Sequence, residues 1–128
     1  MCDGTNMVVL LIAMLMPLAH GFAQDGKIQR GKYLTEEVAK CQECHTARLP
    51  SGELDRAAWL KGGIGPDITR GGKLWKDRGE KGMLRFLETG ERHGHAAANP
   101  MPPYKLRHDD AEAIVAYLKS LRRGSPEI

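Results

Sequence analysis

Large aromatic side chains are scarce in this chain: two Trp, two Phe and three Tyr in 128 residues. A chain of this length is one domain's worth, and so few bulky residues exclude a large self-sufficient core, since small domains already struggle to bury enough surface. There is no internal repeat, and no linker long enough to divide residues 24–128. No nucleophile–base pair is recognisable and no glycine loop is built to cradle phosphate, so nothing outside the stretches discussed below looks catalytic. No βαβ pattern is present. The formal net charge of +3 is mild and does not suit a nucleic-acid binder. Most of these charges read as solvated surface, although a mildly basic face would suit weak, salt-sensitive docking to an acidic partner.

The first segment lacks Lys and Arg. Residues 1–6 carry Asp3 and no basic residue, an atypical start for a secretory leader. The run that follows, Met7 to Ala19, is nonetheless apolar and of the length of a secretory core segment. It is short for a membrane-spanning helix. Gly21-Phe22-Ala23 offers the small residues a signal peptidase reads, so residues 1–23 are expected to be a cleaved signal peptide, with an uncleaved anchor as the alternative. Cleavage would remove Cys2 and Asp3, leaving residues 24–128 with a formal charge of +4 and only Cys41 and Cys44. The remaining domain would carry no orphan thiol into an oxidising compartment and would not insert stably in a membrane.

What the chain does have is Cys41-Gln42-Glu43-Cys44-His45. Two cysteines two residues apart, with a histidine at once after the second, read as a c-type haem attachment site. Each sulfur can add to one haem vinyl group, and the histidine can bind the iron as proximal ligand. A covalently held haem would also supply the apolar bulk that the composition lacks. Two other readings are weaker. Zinc needs two further ligands at suitable spacing, and Cys2, His20, His93, His95 and His108 offer no strong pattern. A redox dithiol usually follows a strand in a βαβ context.

Along the chain, Gln24–Gln29 reads as a polar lead-in and residues 28–40 as a helix, with Tyr33, Leu34 and Val38 on the face that leads to Cys41 and Thr35-Glu36-Glu37 outside. Gly31 is either a place of close helix approach or a plain helix-start glycine. Residues 46–63 are expected to be mostly loop, with a turn at Pro50-Ser51-Gly52-Glu53. Trp59 should be at least partly buried with its indole N–H paired, either to a haem propionate or to ordinary backbone. Gly65-Pro66 is a rigid turn that exposes a carbonyl. Ligating histidines usually donate their other ring N–H to such an acceptor, so the Pro66 carbonyl is the expected partner of His45, with a plain turn as the alternative. Residues 70–76 read as loop, 79–89 as a second helix ended by Gly90, and 91–100 as loop.

Pro100-Met101-Pro102-Pro103-Tyr104 places a methionine between prolines on a stiff backbone. A thioether on a rigid loop suits the sixth position of a haem iron and would raise its potential relative to nitrogen or oxygen donors. Met101 is therefore the candidate distal ligand, His93 and His95 its competitors, and a loop methionine capping an apolar cluster the bland alternative. The clearest helix is 109–122, with Ala111, Ile114, Val115, Leu118 and Leu121 on one stripe, flanked by Tyr117. Asp109 or Asp110 is the expected cap. This stripe should cross the helix that carries Cys41.

The order helix, CxxCH, Gly-Pro-x-apolar loop, helix, methionine loop, amphipathic helix resembles the class I monohaem cytochrome c family over residues 26–122. The resemblance implies an all-α cytochrome c fold wrapped around one covalent haem c. It implies Cys41 and Cys44 as thioether donors, His45 as proximal ligand, Pro66 as its buttress and Met101 as distal ligand. It further implies a one-electron carrier, not an enzyme, working in the periplasm between redox partner proteins such as a dehydrogenase or an oxidase. A haem enzyme or gas sensor with an open sixth position, and a dehydrogenase's cytochrome subunit, are the rival functions.

Overall fold

The computed structural model describes residues 21–92, 95–96 and 101–121. Among the described residues the architecture is all-α, as expected, with four helical segments, one 3-10 turn and one minimal hairpin. The first segment, α1, is α-helical over residues 21–33 and passes into a π-helical turn at Leu34–Val38. The polar lead-in at Gln24–Gln29 is therefore part of the helix, which starts before the expected residue 28, because Gln, Lys and Arg are good helix formers and no proline interrupts them. The π turn closes with the Ala39 N–H on the Leu34 carbonyl, 2.8 Å. Lys40 then takes a left-handed conformation, φ 51°, which ends the helix.

The short helix α2, Gln42–His45, follows. A loop with one 3-10 turn, Arg56–Ala58, leads to α3, Lys73–Thr89. This helix begins six residues before the expected start at 79. Gly79, at φ 67° and ψ 177°, kinks it there instead, because only glycine takes that backbone conformation without a steric cost. Gly90, at φ 70°, caps it in the left-handed form. Strands β1, Glu91–Arg92, and β2, His95–Ala96, pair antiparallel where only loop was expected, with Glu91 opposite Ala96 and Arg92 opposite His95. The last helix, α4, is His108–Ser120. Its N-cap is Arg107, with no side-chain capping bond, and Asp109 and Asp110 lie in the first turn, where they favour the helix dipole but do not cap.

Leu60, Ile68, Trp75, Met83, Leu87, Ala111, Ile114, Val115, Tyr117 and Leu118 form the core. Helix α4 contributes the largest share, and its stripe packs against α3 and α1. Gly31 is a point of close approach. A Cβ there would overlap the Ala113 carbonyl oxygen and stand 2.8 Å from Tyr117 Cβ. Around this crossing Lys27 pairs with Glu112 at 3.0 Å and Arg30 with Asp110 at 2.5 Å. Trp75 donates its indole N–H to the Ile68 carbonyl at 2.6 Å, which ties α3 to the loop before it. Among the described residues no helix is long and apolar enough to cross a membrane. Residues 1–20, and so most of the expected leader, lie outside the described residues, as do His93, Pro100 and Arg122.

Candidate functional site

A single helical turn cannot hold itself, because the first turn costs more backbone freedom than one hydrogen bond returns. Helix α2 is kept in place by its surroundings. On its N-terminal side the Cys41 N–H reaches back to the Thr35 carbonyl at 2.9 Å, and the Gln42 side-chain amide donates to the Glu36 carbonyl at 2.8 Å. On its C-terminal side the loop after Leu60 supplies donors to carbonyls that the helix leaves open. Gly65 N–H bonds the Cys44 carbonyl at 2.7 Å and Gly62 N–H the His45 carbonyl at 2.8 Å. The loop itself is pinned by Thr46, whose buried Oγ1 accepts the Leu60 N–H at 2.9 Å.

The same loop holds the His45 ring. His45 is buried, and its Nδ1 donates to the Pro66 carbonyl oxygen at 2.6 Å. A carbonyl only accepts, so Nδ1 carries a proton; in the neutral ring that tautomer puts the lone pair on Nε2, the form a metal-binding imidazole needs. Gly65 lies directly on the ring: a Cβ there would stand 2.6 Å from Cε1 and 2.7 Å from Nδ1. The imidazole is thus fixed by a hydrogen bond and by a backbone pressed against its face.

Cys44 is exposed and Cys41 half-buried. Burial, assisted by the nearby Cys44, pushes the Cys41 thiol up to about 11. It is the reverse of the lowered value that marks a reactive redox thiolate. Among the described residues no group of three or more His, Cys, Asp or Glu is arranged to hold a metal ion by itself. Two thiols three positions apart, with an imidazole directly after the second, are the donor set of a covalently attached haem, and the residues present fit that group.

Trp59 is half-buried with its N–H paired, but the partner is neither backbone nor an open acceptor position. Its Nε1 donates to Glu36 Oε1 at 3.2 Å, and the Arg56 guanidinium lies 4.5 Å above its ring. The donor that the sequence assigned to a propionate or to backbone meets a carboxylate of the chain itself. Tyr117 donates its hydroxyl to the same Glu36 oxygen. Burial raises the Tyr117 phenol above its ordinary range, and the Glu36 carboxylate beside it adds to the shift. Helical periodicity puts Glu36 on the outer face and gives no sign that Trp59 and Tyr117 meet on it; the structure turns Glu36 inward and brings the two together there.

Met101 is half-buried at the start of the irregular segment 101–107. Tyr104 hydroxyl donates to the Ala39 carbonyl at 3.1 Å, and Leu106 N–H to the Leu87 carbonyl at 3.0 Å. Burial raises the Tyr104 phenol, and the nearby Cys41 and Cys44 raise it further. The methionine-bearing segment and the cysteine turn are therefore neighbours. Of the competing histidines, His93 lies outside the described residues, and His95 is described only as backbone in β2.

Comparison with known proteins gives a consistent picture. A family model described as Cytochrome c matches residues 28–122. The chain is 35% identical over 108 residues to the fructose dehydrogenase cytochrome subunit of Gluconobacter japonicus, covering 72% of this chain and 21% of that protein. It is 34% identical over 111 residues to a nicotinate dehydrogenase subunit of Pseudomonas putida, covering 77% of this chain and 9% of that one. It is 33% identical over 104 residues to a diheme cytochrome c-type protein of Cereibacter sphaeroides, covering 71% and 34%. The chain thus spans at most 34% of the length of these relatives. No solved structure matches it significantly.

Proposed function

Because the chain belongs to the cytochrome c family, we propose that it is a one-electron carrier with a single haem c, held by Cys41 and Cys44 and ligated by His45 and Met101. The haem, when bound, supplies the ferrous–ferric couple. The chain's own residues hold and tune it. The observation that carries the reading is the Nδ1–H bond of buried His45 to the Pro66 carbonyl, 2.6 Å. It leaves Nε2 as a ligand of fixed tautomer directly after Cys44, and raises that ligand's basicity. Met101 fills the other axial position in this reading, supported by its proline-locked segment and by the Tyr104 tether to Ala39. With both axial positions filled there is no open site for substrate, so the chain itself performs no catalysis.

The carrier works outside the cytoplasm in this reading, supported by the leader-like run before residue 20. Its redox partner is a dehydrogenase, as a subunit or as a docked protein. Two of the relatives carry dehydrogenase names, one of them a cytochrome subunit. The mild positive charge of residues 24–128 suits salt-sensitive docking, so partner electron-transfer rates should fall as salt rises.

The ferric spectrum tests the ligand pair. Intact protein should show a methionine–iron charge-transfer band that Met101→Ala abolishes. A high-spin ferric spectrum of the intact protein would instead indicate an open sixth position.

A further inference from the structure

Tyr104 has no part in the ligand set, yet it sits three residues past Met101 on the segment that bears the thioether. Pro102 and Pro103 have no backbone N–H, so neither can donate a bond that fixes the chain. Tyr104 is the first residue after Met101 able to do so, and it does so twice. Its N–H closes on the Pro102 carbonyl at 3.0 Å, making a tight turn. Its hydroxyl reaches the Ala39 carbonyl at 3.1 Å, 65 residues back in the sequence.

The two ends of this bond are informative. Ala39 lies two residues before Cys41, where the π turn hands over to the left-handed Lys40. The other contacts of the segment lead elsewhere. Leu106 N–H bonds the Leu87 carbonyl of α3, and Gly90 lies so close beneath the segment that a Cβ there would stand 2.9 Å from the Tyr104 carbonyl oxygen. Those contacts fasten the segment to the end of α3. The Tyr104 hydroxyl fastens it to the chain that carries the cysteines.

We propose that Tyr104 is a positioning residue whose hydroxyl latches the Met101 segment to the backbone leading into Cys41, and so holds the methionine on the iron against competing ligands. The latch rests on the reading of Met101 as distal ligand. Without it, the segment keeps its α3 anchors but swings more easily away from the cysteine turn. An external ligand can bind only when the sixth position is open, so its apparent affinity rises in proportion to the open fraction. Loss of one hydrogen bond of ordinary net strength corresponds to about a fivefold rise.

The test compares the ferric holoproteins of wild type, Tyr104→Phe and Tyr117→Phe. Three quantities are read: the methionine–iron charge-transfer band, the apparent affinity for imidazole, and the thermal midpoint. Tyr104→Phe keeps the ring and removes only the hydroxyl. It should bind imidazole about fivefold more tightly than wild type, with a weaker or more easily lost band. Tyr117→Phe removes a buried hydroxyl that bonds Glu36 instead. It should lower the midpoint and leave the imidazole affinity unchanged. Unchanged affinity in Tyr104→Phe, with the wild-type band present, would overturn the latch and leave Met101 ligation standing. An equal rise in both variants would also overturn it, since general loosening would then suffice. Absence of the band in wild type would remove the premise, and the latch with it.

Discussion

Gly65 matters through the side chain it does not have. The His45 ring is buried, bonded at Nδ1 and covered by the Gly65 backbone, so it has nowhere to move. Gly65→Ala would place a methyl carbon 2.6 Å from Cε1. Overpacking of this kind costs about 1–3 kcal/mol. The thermal midpoint of the holoprotein should fall accordingly, and the potential should shift because the ring must tilt from its Pro66 acceptor. An unchanged midpoint would mean that the loop yields easily. Leu60 poses a related balance. It is fully buried at φ 58°, a left-handed conformation that costs a non-glycine residue roughly 1–2 kcal/mol. Leu60→Gly relieves that strain but removes a whole core side chain, and even Leu→Ala costs about 2–5 kcal/mol in a core. The lost burial outweighs the relieved strain, so Leu60→Gly should be destabilising by urea titration. At this scale the sequence was most legible where chemistry is local. Cys41, Cys44 and His45 lie within five consecutive residues, and a Gly-Pro turn advertises its carbonyl. It was least legible where partners are distant. Trp59 and Tyr117 meet on Glu36 across 23 and 81 residues, and no local pattern announces that meeting.

Helix α1 shows why a periodic reading can assign the wrong face. Counting at 3.6 residues per turn puts Tyr33, Leu34 and Val38 inside and Thr35-Glu36 outside. In the structure Tyr33 and Val38 are exposed, Thr35 is fully buried and Glu36 turns inward. Within and after the π turn at Leu34–Val38 the wider i→i+5 spacing shifts positions around the axis, which accounts for Val38 turning out; Tyr33 precedes the turn and faces outward on the α-helical part. Helix α4, regular throughout, keeps the stripe its sequence spells out. Where α1 and α4 cross, Gly31→Ala sets two effects against each other. Alanine is a better helix former by up to about 1 kcal/mol. The added carbon overlaps a backbone carbonyl at Ala113, which cannot rotate aside, and overpacking costs about 1–3 kcal/mol or more. Net destabilisation is expected, with a lower urea midpoint and a lower yield of holoprotein. The surface clamp between α3 and α4 should respond to pH. His108 of α4 bonds Glu88 of α3 and Glu112 of its own helix, and Glu112 also pairs with Lys27 of α1. The bond to Glu88, followed by the Glu112 charge, raises the His108 value above its ordinary one. A raised value means that the contribution is complete below about pH 6.5 and is lost as pH rises through the folded value. The effect is small because the site is solvent-exposed. The urea midpoint should drift down over that range in wild type and stay flat in His108→Gln.

The whole molecule is a small set of helices with a modest core, organised around a turn too short to stand alone. Among the described residues, the π turn before it and the Gly62–Pro66 loop after it hold that turn, and Tyr104 from the far segment fastens to the chain leading into it. This arrangement makes sense if the turn carries a large apolar cofactor that in return completes the core, and it explains why so few aromatic residues suffice. Covalent attachment of one haem through Cys41 and Cys44 is therefore the property on which the proposed function depends. Its most direct measurement is the mass of the purified, fully denatured chain, expressed in a host with working haem-attachment machinery. The expected result is the polypeptide plus one haem, with the haem absorbance travelling with the chain after denaturation and lost in the Cys41→Ser, Cys44→Ser double variant. Recovery of haem-free polypeptide from that host, or of protein carrying zinc in its place, would contradict it.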